Sequence, residues 1–120
     1  MKWADEIGVN PSLAMAVAYI ESGFNVNAVS PRGAVGVFQI IPATGEIYGV
    51  TRKELFEADV NIQVGIHYLK AMLRLFRDTD LALAAYNAGP GKVVEAGYRI
   101  PEIRETRNFV RRVKYAAGRY

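Results

Sequence analysis

The chain contains no cysteine, and among its 120 residues there are only one histidine and one tryptophan. The absence of cysteine excludes disulfide bonds, zinc–thiolate sites and thiol catalysis. It does not fix the cellular compartment. With His67 standing alone, a histidine-based metal site or catalytic triad has little support. No apolar run approaches the ~20 residues that a helix needs to cross a bilayer.

The composition that remains is that of an ordinary globular domain, with 51% apolar and 22% charged residues. A chain of this length can bury a core without metal or disulfide cross-links. Asp5 and Glu6 stand where a signal peptide would have its apolar segment. We therefore expect a single domain over residues 1–120, excised from or lacking a longer N-terminal region.

The net charge is +3 and the pI about 9.3, and much of the excess lies near the C-terminus. The basic residues there are Arg99, Arg104, Arg107, Arg111, Arg112, Lys114 and Arg119. A basic face suits an anionic polymer such as nucleic acid or cell-wall glycan with its acidic peptides, or an anionic lipid surface. On charge alone, a solvated helix face is the better interpretation.

Helical periodicity dominates the chain, and no stretch alternates as an exposed strand does. Helices are predicted over 2–7, 11–22, 42–49, from 51 onward, 59–78, 81–88, 92–96 and 105–120. The residues predicted to begin helices are Asn10, Thr51 (with Glu54 completing a capping box), Asp59, and Thr79 or Asp80. The fold class is therefore mainly α, a compact set of seven or eight mostly short helices with few strands.

Glu21 is the most unusual carboxylate in the sequence. Most acids lie among charged neighbours, whereas Glu21 and Glu105 have more apolar surroundings. Glu21 also ends an apolar helix at Gly23, where the helix dipole disfavours negative charge. Both effects raise the pKa of the carboxyl, which suits an acid catalyst. From its sequence context alone, an acid catalyst and a structural hydrogen-bonding role are about equally supported.

Two other polar positions interrupt apolar segments. Gln39 lies within an apolar run, and its amide can both donate and accept, as sugar recognition requires. Tyr86 and Asn87 end a helix of small residues just before Gly89. Taken singly, each is better explained as a satisfied core, turn or helix-end residue.

Taken together and in order, six segments carry a family resemblance. They are ESGFN (21–25), NAVSPRGA (27–34), GVFQIIP (36–42), NIQVGIHYL (61–69), AAYNAGPG (84–91) and IPEIRETRNFV (100–110). Each is weak alone, but the ordered set resembles the lytic transglycosylase (SLT) domain of the lysozyme-like superfamily.

The resemblance implies a lysozyme-like, mostly helical fold with a glycan groove. It implies cleavage of the β-1,4 bond between N-acetylmuramic acid and N-acetylglucosamine in peptidoglycan, with a 1,6-anhydromuramic product. Glu21 matches the family's catalytic acid/base. The positions that match substrate-binding residues are Ser30, Gln39, Tyr86, Asn87 and Glu105. No metal or other cofactor is implied.

The same resemblance sets expectations about partners and location. Glycan strands are the expected partner, without nucleic acid or a transmembrane segment, and the isolated domain is expected to be a monomer. The parent protein is expected in the periplasm or cell envelope, or as a phage or secretion-system component. Where the family usually has Leu-Met, this chain has Val37 and Phe38, which are expected to keep an apolar lining. Phe109 replaces a frequent tyrosine.

Three alternatives stay open at this point. A lysozyme of the same fold would use water instead of the C6 hydroxyl of the muramic acid as nucleophile. A catalytically silent module would bind glycan without cutting it. A nucleic-acid-binding helix bundle rests only on the basic C-terminal segment.

Overall fold

A computed structural model describes all residues 1–120. It contains seven α-helices and one short 3-10 helix, Glu54–Phe56. The α-helices are α1 (Lys2–Ile7), α2 (Pro11–Ser22), α3 (Pro42–Ile47), α4 (Ala58–Phe76), α5 (Thr79–Ala88), α6 (Pro90–Glu95) and α7 (Arg104–Ala117). There is no strand, and two isolated antiparallel bridges join Val35 to Val29 and to Ile40. The prediction of a mainly helical domain is confirmed.

Helix α5 is the centre of the molecule. Its residues 82–86 are all buried, because small alanines let neighbouring helices approach on every side. Helices α4, α6 and α7 pack around it, α2 packs on α7, and α1 packs on α4. This arrangement brings the C-terminal ends of α2 and α5 close to the first turns of α7.

The predicted helix start at Asn10 is confirmed, and the predicted Thr51–Glu54 hydrogen bonds are present, but the 3-10 helix there begins at Glu54 with Lys53 at its N-cap. The Asn10 side chain accepts from the backbone N–H groups of Ser12 (2.8 Å) and Leu13 (3.3 Å). The Thr51 N–H donates to the Glu54 carboxylate at 3.0 Å, and the Glu54 N–H donates to the Thr51 hydroxyl at 3.2 Å. This reciprocal pair is a capping box.

Two other predicted starts are wrong. Helix α4 has Glu57 at its N-cap, so Asp59 lies inside the first turn. Asp78, not Thr79 or Asp80, precedes α5 and caps it. In both cases the capping residue is the last one with extended backbone. Acidic side chains in the following turn still interact favourably with the helix dipole.

The remaining differences are in helix bounds. Helix α6 begins at Pro90, two residues before the predicted start, because proline at the first helical position needs no hydrogen-bond acceptor. Helix α7 ends at Ala117 and not at the last residue. Among all these helices, none combines the length and the apolar character that crossing a membrane demands.

Candidate active site

A cavity of about 290 Å³ opens between the end of α2, the end of α5, the start of α7 and the loop 23–41. All six residues singled out by the family resemblance line it: Glu21, Ser30, Gln39, Tyr86, Asn87 and Glu105. Adjoining cavities of about 170 Å³ and 220 Å³ share some of these residues. The three together form a groove along which a chain-like ligand can lie.

Glu21 lies in the last turn of α2, one residue before Ser22 and two before the left-handed Gly23 that ends the helix. The Ser22 hydroxyl donates to the Val37 carbonyl (2.7 Å) and accepts from the Asn25 N–H (3.1 Å), so the helix end is fixed to the loop. Burial raises the pKa of Glu21 to about 8, and the negative charge of Glu105 adds to this. At neutral pH the carboxyl is therefore largely protonated.

Glu105 belongs to a polar network at the first turn of α7. It accepts from the Asn87 amide (3.3 Å) and lies 3.6 Å from the Arg32 guanidinium. The other side of the Asn87 amide accepts from the buried Thr106 hydroxyl at 2.8 Å, which fixes the amide orientation. The prediction of apolar surroundings for Glu105 is wrong, because its side chain is 58% exposed.

Tyr86 forms the floor of the cavity. Its hydroxyl donates to the Phe38 carbonyl at 2.7 Å, and its ring stacks on Phe109 with the planes 6° apart. Burial, followed by the nearby charge of Glu21, raises the pKa of Tyr86 well above its ordinary value. Tyr86 therefore stays a neutral hydroxyl. Phe109 is buried with its ring parallel to that of Tyr86, so this position keeps an aromatic contact but has no hydroxyl.

Gln39 is a turn residue as well as a residue of the cavity wall. It adopts a left-handed backbone with φ 52°, which few non-glycine residues do. Its amide nitrogen donates to the carbonyls of Ala28 (3.2 Å) and Gly36 (3.0 Å). Both amide hydrogens are thus used by the protein, so only the amide oxygen is available to a ligand.

Ser30 is also part of a turn. Its hydroxyl oxygen accepts from the N–H groups of Arg32 (3.2 Å) and Ala34 (3.0 Å), which leaves the hydroxyl proton available to the cavity.

Sequence reasoning missed the two residues of α4 that hold this loop. The buried Asn61 accepts from the Phe38 N–H (2.8 Å) and donates to the carbonyls of Val35 (2.7 Å) and Leu55 (2.9 Å). One turn later, a Cβ on Gly65 would lie 2.3 Å from the Phe38 ring. The sequence did carry a signal for this role, because an asparagine and a glycine lie four residues apart on the apolar face of a predicted helix. A buried asparagine there needs hydrogen-bond partners from another segment.

Val37 and Phe38, which replace the family's usual Leu-Met, are both buried. The expectation that they keep an apolar lining is wrong, because none of the groove cavities is lined by either side chain. Their effect on the groove is indirect, through the loop backbone that carries Gln39.

No group of three or more histidine, aspartate and glutamate side chains is placed to hold a metal ion. His67 lies at the surface of α4, where its ring stacks on Tyr48 with the centroids 6.2 Å apart. The prediction that His67 is a surface or satisfied histidine is confirmed.

A family model described as the transglycosylase SLT domain matches residues 1–107. The chain is 37% identical over 94 residues to the soluble lytic murein transglycosylase of Salmonella typhimurium, an alignment covering 71% of this chain and 15% of that protein. It is 36% identical over 102 residues to the membrane-bound lytic murein transglycosylase F of Desulfosudis oleivorans, covering 79% of this chain and 22% of that protein. The chain thus spans under a quarter of these relatives.

Two solved structures share the fold. An inactive variant of the lytic transglycosylase Slt from Pseudomonas aeruginosa, with one glutamate changed to glutamine, gives a TM-score of 0.85 at 31% identity. It covers 97% of this chain and 22% of that one. The 70 kDa soluble lytic transglycosylase of Escherichia coli gives a TM-score of 0.82 at 30% identity, over 96% of this chain and 22% of that one. The lysozyme-like fold expected from the sequence is confirmed.

Proposed function

Because this chain belongs to the transglycosylase SLT domain family, we propose that it is the catalytic domain of a peptidoglycan lytic transglycosylase. The bond cut is the β-1,4 bond between N-acetylmuramic acid and N-acetylglucosamine. The observation that carries the proposal is the single cavity lined by all six expected residues, one of which, Glu21, has a carboxyl pKa raised to about 8. A general acid that is protonated at neutral pH is what glycosidic cleavage needs.

In the first step, Glu21 donates its proton to the glycosidic oxygen, and the bond to the anomeric carbon breaks. Positive charge develops at that carbon, and the 2-acetamido oxygen of the same sugar stabilises it. Tyr86 and Asn87, fixed by their bonds to the Phe38 carbonyl and to Thr106, present rigid polar groups beside the reacting sugar.

In the second step, Glu21 acts as a base. The carboxylate removes the proton of the C6 hydroxyl on the muramic acid, and that oxygen attacks the anomeric carbon to close a 1,6-anhydro ring. Because the nucleophile belongs to the substrate, the step gains from intramolecularity, for which effective molarities of about 10⁵ M or more are possible. Glu21 regains its proton and is ready for the next cut.

The anhydro product separates this proposal from the lysozyme alternative. Mass spectrometry of purified peptidoglycan digested by the protein should show anhydromuramic ends. Products carrying only reducing ends would mean that water is the nucleophile, and the protein would then be a lysozyme of the same fold.

Replacing the acid tests the role of Glu21. We expect Glu21→Gln to abolish wall lysis, measured as the fall in turbidity of a peptidoglycan suspension, because glutamine keeps the shape but cannot supply the proton. Folding by circular dichroism and binding to peptidoglycan should remain near wild type. Unchanged lysis would reject Glu21 as the acid, and a wild type that binds without cutting would indicate a silent glycan-binding module.

The wider setting is part of the same proposal. We place residues 1–120 as one catalytic domain, acting as a monomer, of a longer protein in the periplasm or cell envelope. The names of the relatives, soluble or membrane-bound murein transglycosylases, support an envelope location. A phage or secretion-system protein could carry the same domain.

A further inference from the structure

The exposed side of α7 carries three arginines one turn apart, Arg104, Arg107 and Arg111, here called the arginine face. They line an open cavity of about 410 Å³, together with Glu102 and Asn108. Three guanidinium groups face one carboxylate in this cavity, so its net charge is positive. The face is therefore suited to an anionic ligand.

The arginine face adjoins the groove. Successive residues of a helix are about 100° apart around its axis, so the three arginines form one stripe along α7. The neighbouring stripe, which contains Glu105 and Arg112, faces Glu21, and Asn108 lies between the two. Asn108 lines both the arginine cavity and the groove cavity that contains Glu21 and Glu105. A ligand bound to the arginine face would therefore be continuous with a glycan at the catalytic carboxyl.

The charges of the arginine face are only partly neutralised by the protein. Arg107 lies 3.5 Å from Glu102, whose side chain is 91% exposed. Such an exposed ion pair is weak, so a carboxylate of a ligand can easily replace that of Glu102. Arg104 and Arg111 take part in no ion pair with the protein's own acids. Arg111 instead donates to the Asn108 side chain at 2.6 Å.

We infer that the arginine face binds the carboxylates of the acidic peptide attached to the muramic acid being cut. The inference rests on the proposed function and extends it from the sugar to its substituent. The peptide leaves the glycan at the lactyl group of muramic acid, so it projects sideways from the groove. Planar guanidinium groups pair with carboxylates through two parallel hydrogen bonds, which suits this ligand better than a diffuse lysine surface.

The experiment compares two fluorescently labelled soluble glycan strands, one with its peptides and one from which an amidase has removed them. Binding is measured by anisotropy in a Glu21→Gln background, so that the strands are not cut. The test variant adds Arg104→Gln and Arg111→Gln. A matched control adds Arg74→Gln and Lys53→Gln, two exposed cations that line none of the groove or arginine cavities.

We expect the test variant to bind the peptide-bearing strand roughly tenfold more weakly, as the loss of two charge contacts implies, and the bare strand within about twofold of its parent. The matched control should change neither. Added salt should weaken binding of the peptide-bearing strand more than that of the bare one.

An equal effect of the test variant on both strands, or no effect on either, would overturn the inference. The inference would also be overturned if the protein bound a labelled DNA duplex more tightly than the peptide-bearing strand and the same two substitutions abolished that binding. The arginine face would then recognise nucleic acid. Cleavage by the protein with Glu21 intact is assayed in parallel. A protein that binds both strands but cuts neither contradicts the proposed function, while the binding result still decides the inference.

Discussion

Glu21 is kept protonated by two features that lie on different helices. The end of α2 buries the carboxyl, and the first turn of α7 brings the negative charge of Glu105 toward it. Burial is the larger cause of the raised pKa, and the charge of Glu105 is the smaller one. The charge of Glu105 can be removed by substitution without disturbing the packing around Glu21. Its removal therefore tests directly how much this charge contributes to the raised pKa of Glu21.

Glu105→Gln should lower the pKa of Glu21, since removing a nearby negative charge favours ionisation. The protonated acid is then lost at lower pH, so the alkaline limb of the lysis rate against pH should move toward lower pH. The limb is read from initial rates on peptidoglycan. Glu95→Gln, an exposed acid on α6, should leave it in place. A limb that moves upward in Glu105→Gln would contradict the assigned electrostatics.

The same pKa makes a prediction about stability. The folded protein holds the Glu21 proton up to about pH 8, whereas the unfolded chain releases it near 4.5. Between these values the native state binds more protons, so the contribution of Glu21 to the free energy of unfolding is complete below about pH 4.5 and lost as pH rises toward about 8.

Glu21→Gln removes this dependence. Relative to wild type, the variant should therefore gain stability on going from about pH 5 to about pH 8, by an amount on the order of a few kcal/mol, and no more above that. Urea unfolding of both proteins across this range measures the difference. A difference that is flat with pH would mean that the Glu21 pKa is not raised.

At the scale of elements, α4 positions the groove without contributing a catalytic group. Asn61 forms two hydrogen bonds to the loop 35–39 and a third to the Leu55 carbonyl, and Gly65 leaves room for the Phe38 ring against the helix. This loop carries Gln39 and the Phe38 carbonyl, which accepts a hydrogen bond from the Tyr86 hydroxyl.

We expect Asn61→Ala to destabilise the protein by about 3 kcal/mol, because it leaves one buried N–H and two carbonyls without their partner. Lysis should also fall under conditions where the variant remains folded, since the loop loses its anchor. Gln63→Ala, which removes one hydrogen bond from the same helix, should cost under about 0.5 kcal/mol. Chemical denaturation gives both values. Equal stability of the two variants would show that the Asn61 contacts are dispensable.

What the sequence predicted and what it missed follow from the range of the interactions involved. Helix order, the Asn10 cap and the Gly23 stop depend on residues a few positions apart, and they were predicted correctly. The role of Asn61 depends on loop carbonyls up to 26 positions away, which no local pattern shows. Gln39 combines both cases: its position in the groove wall followed from the resemblance, but the use of its two amide hydrogens required the turn itself.

At the scale of the whole molecule, α7 connects the site to the core. One side of it supplies Glu105 and Arg112 to the groove, and the other side buries Val110 and Val113. Phe109 lies between the two sides, where it is buried and also lines the groove. The family match ends at residue 107, within this helix. The matched segment therefore includes Glu105 but leaves out the apolar residues that hold α7 in place.

A chain ending at residue 107 should consequently not fold, although it keeps all six groove residues. Burying Phe109, Val110 and Val113 contributes roughly 1.5–3 kcal/mol each, and the sum is comparable to the ~5–15 kcal/mol that stabilises a whole domain. Far-UV circular dichroism and thermal melting would measure the loss. A chain ending at Gly118 should melt as a cooperative unit near the full-length temperature, because it gives up only exposed residues and their surface contacts. These are the bond from the Ser12 hydroxyl to the last carbonyl, the contact of Arg119 with the Tyr115 side chain and two backbone bonds at the helix end. Cooperative melting of the shorter chain would show instead that the groove is held by α2, α4 and α5 alone.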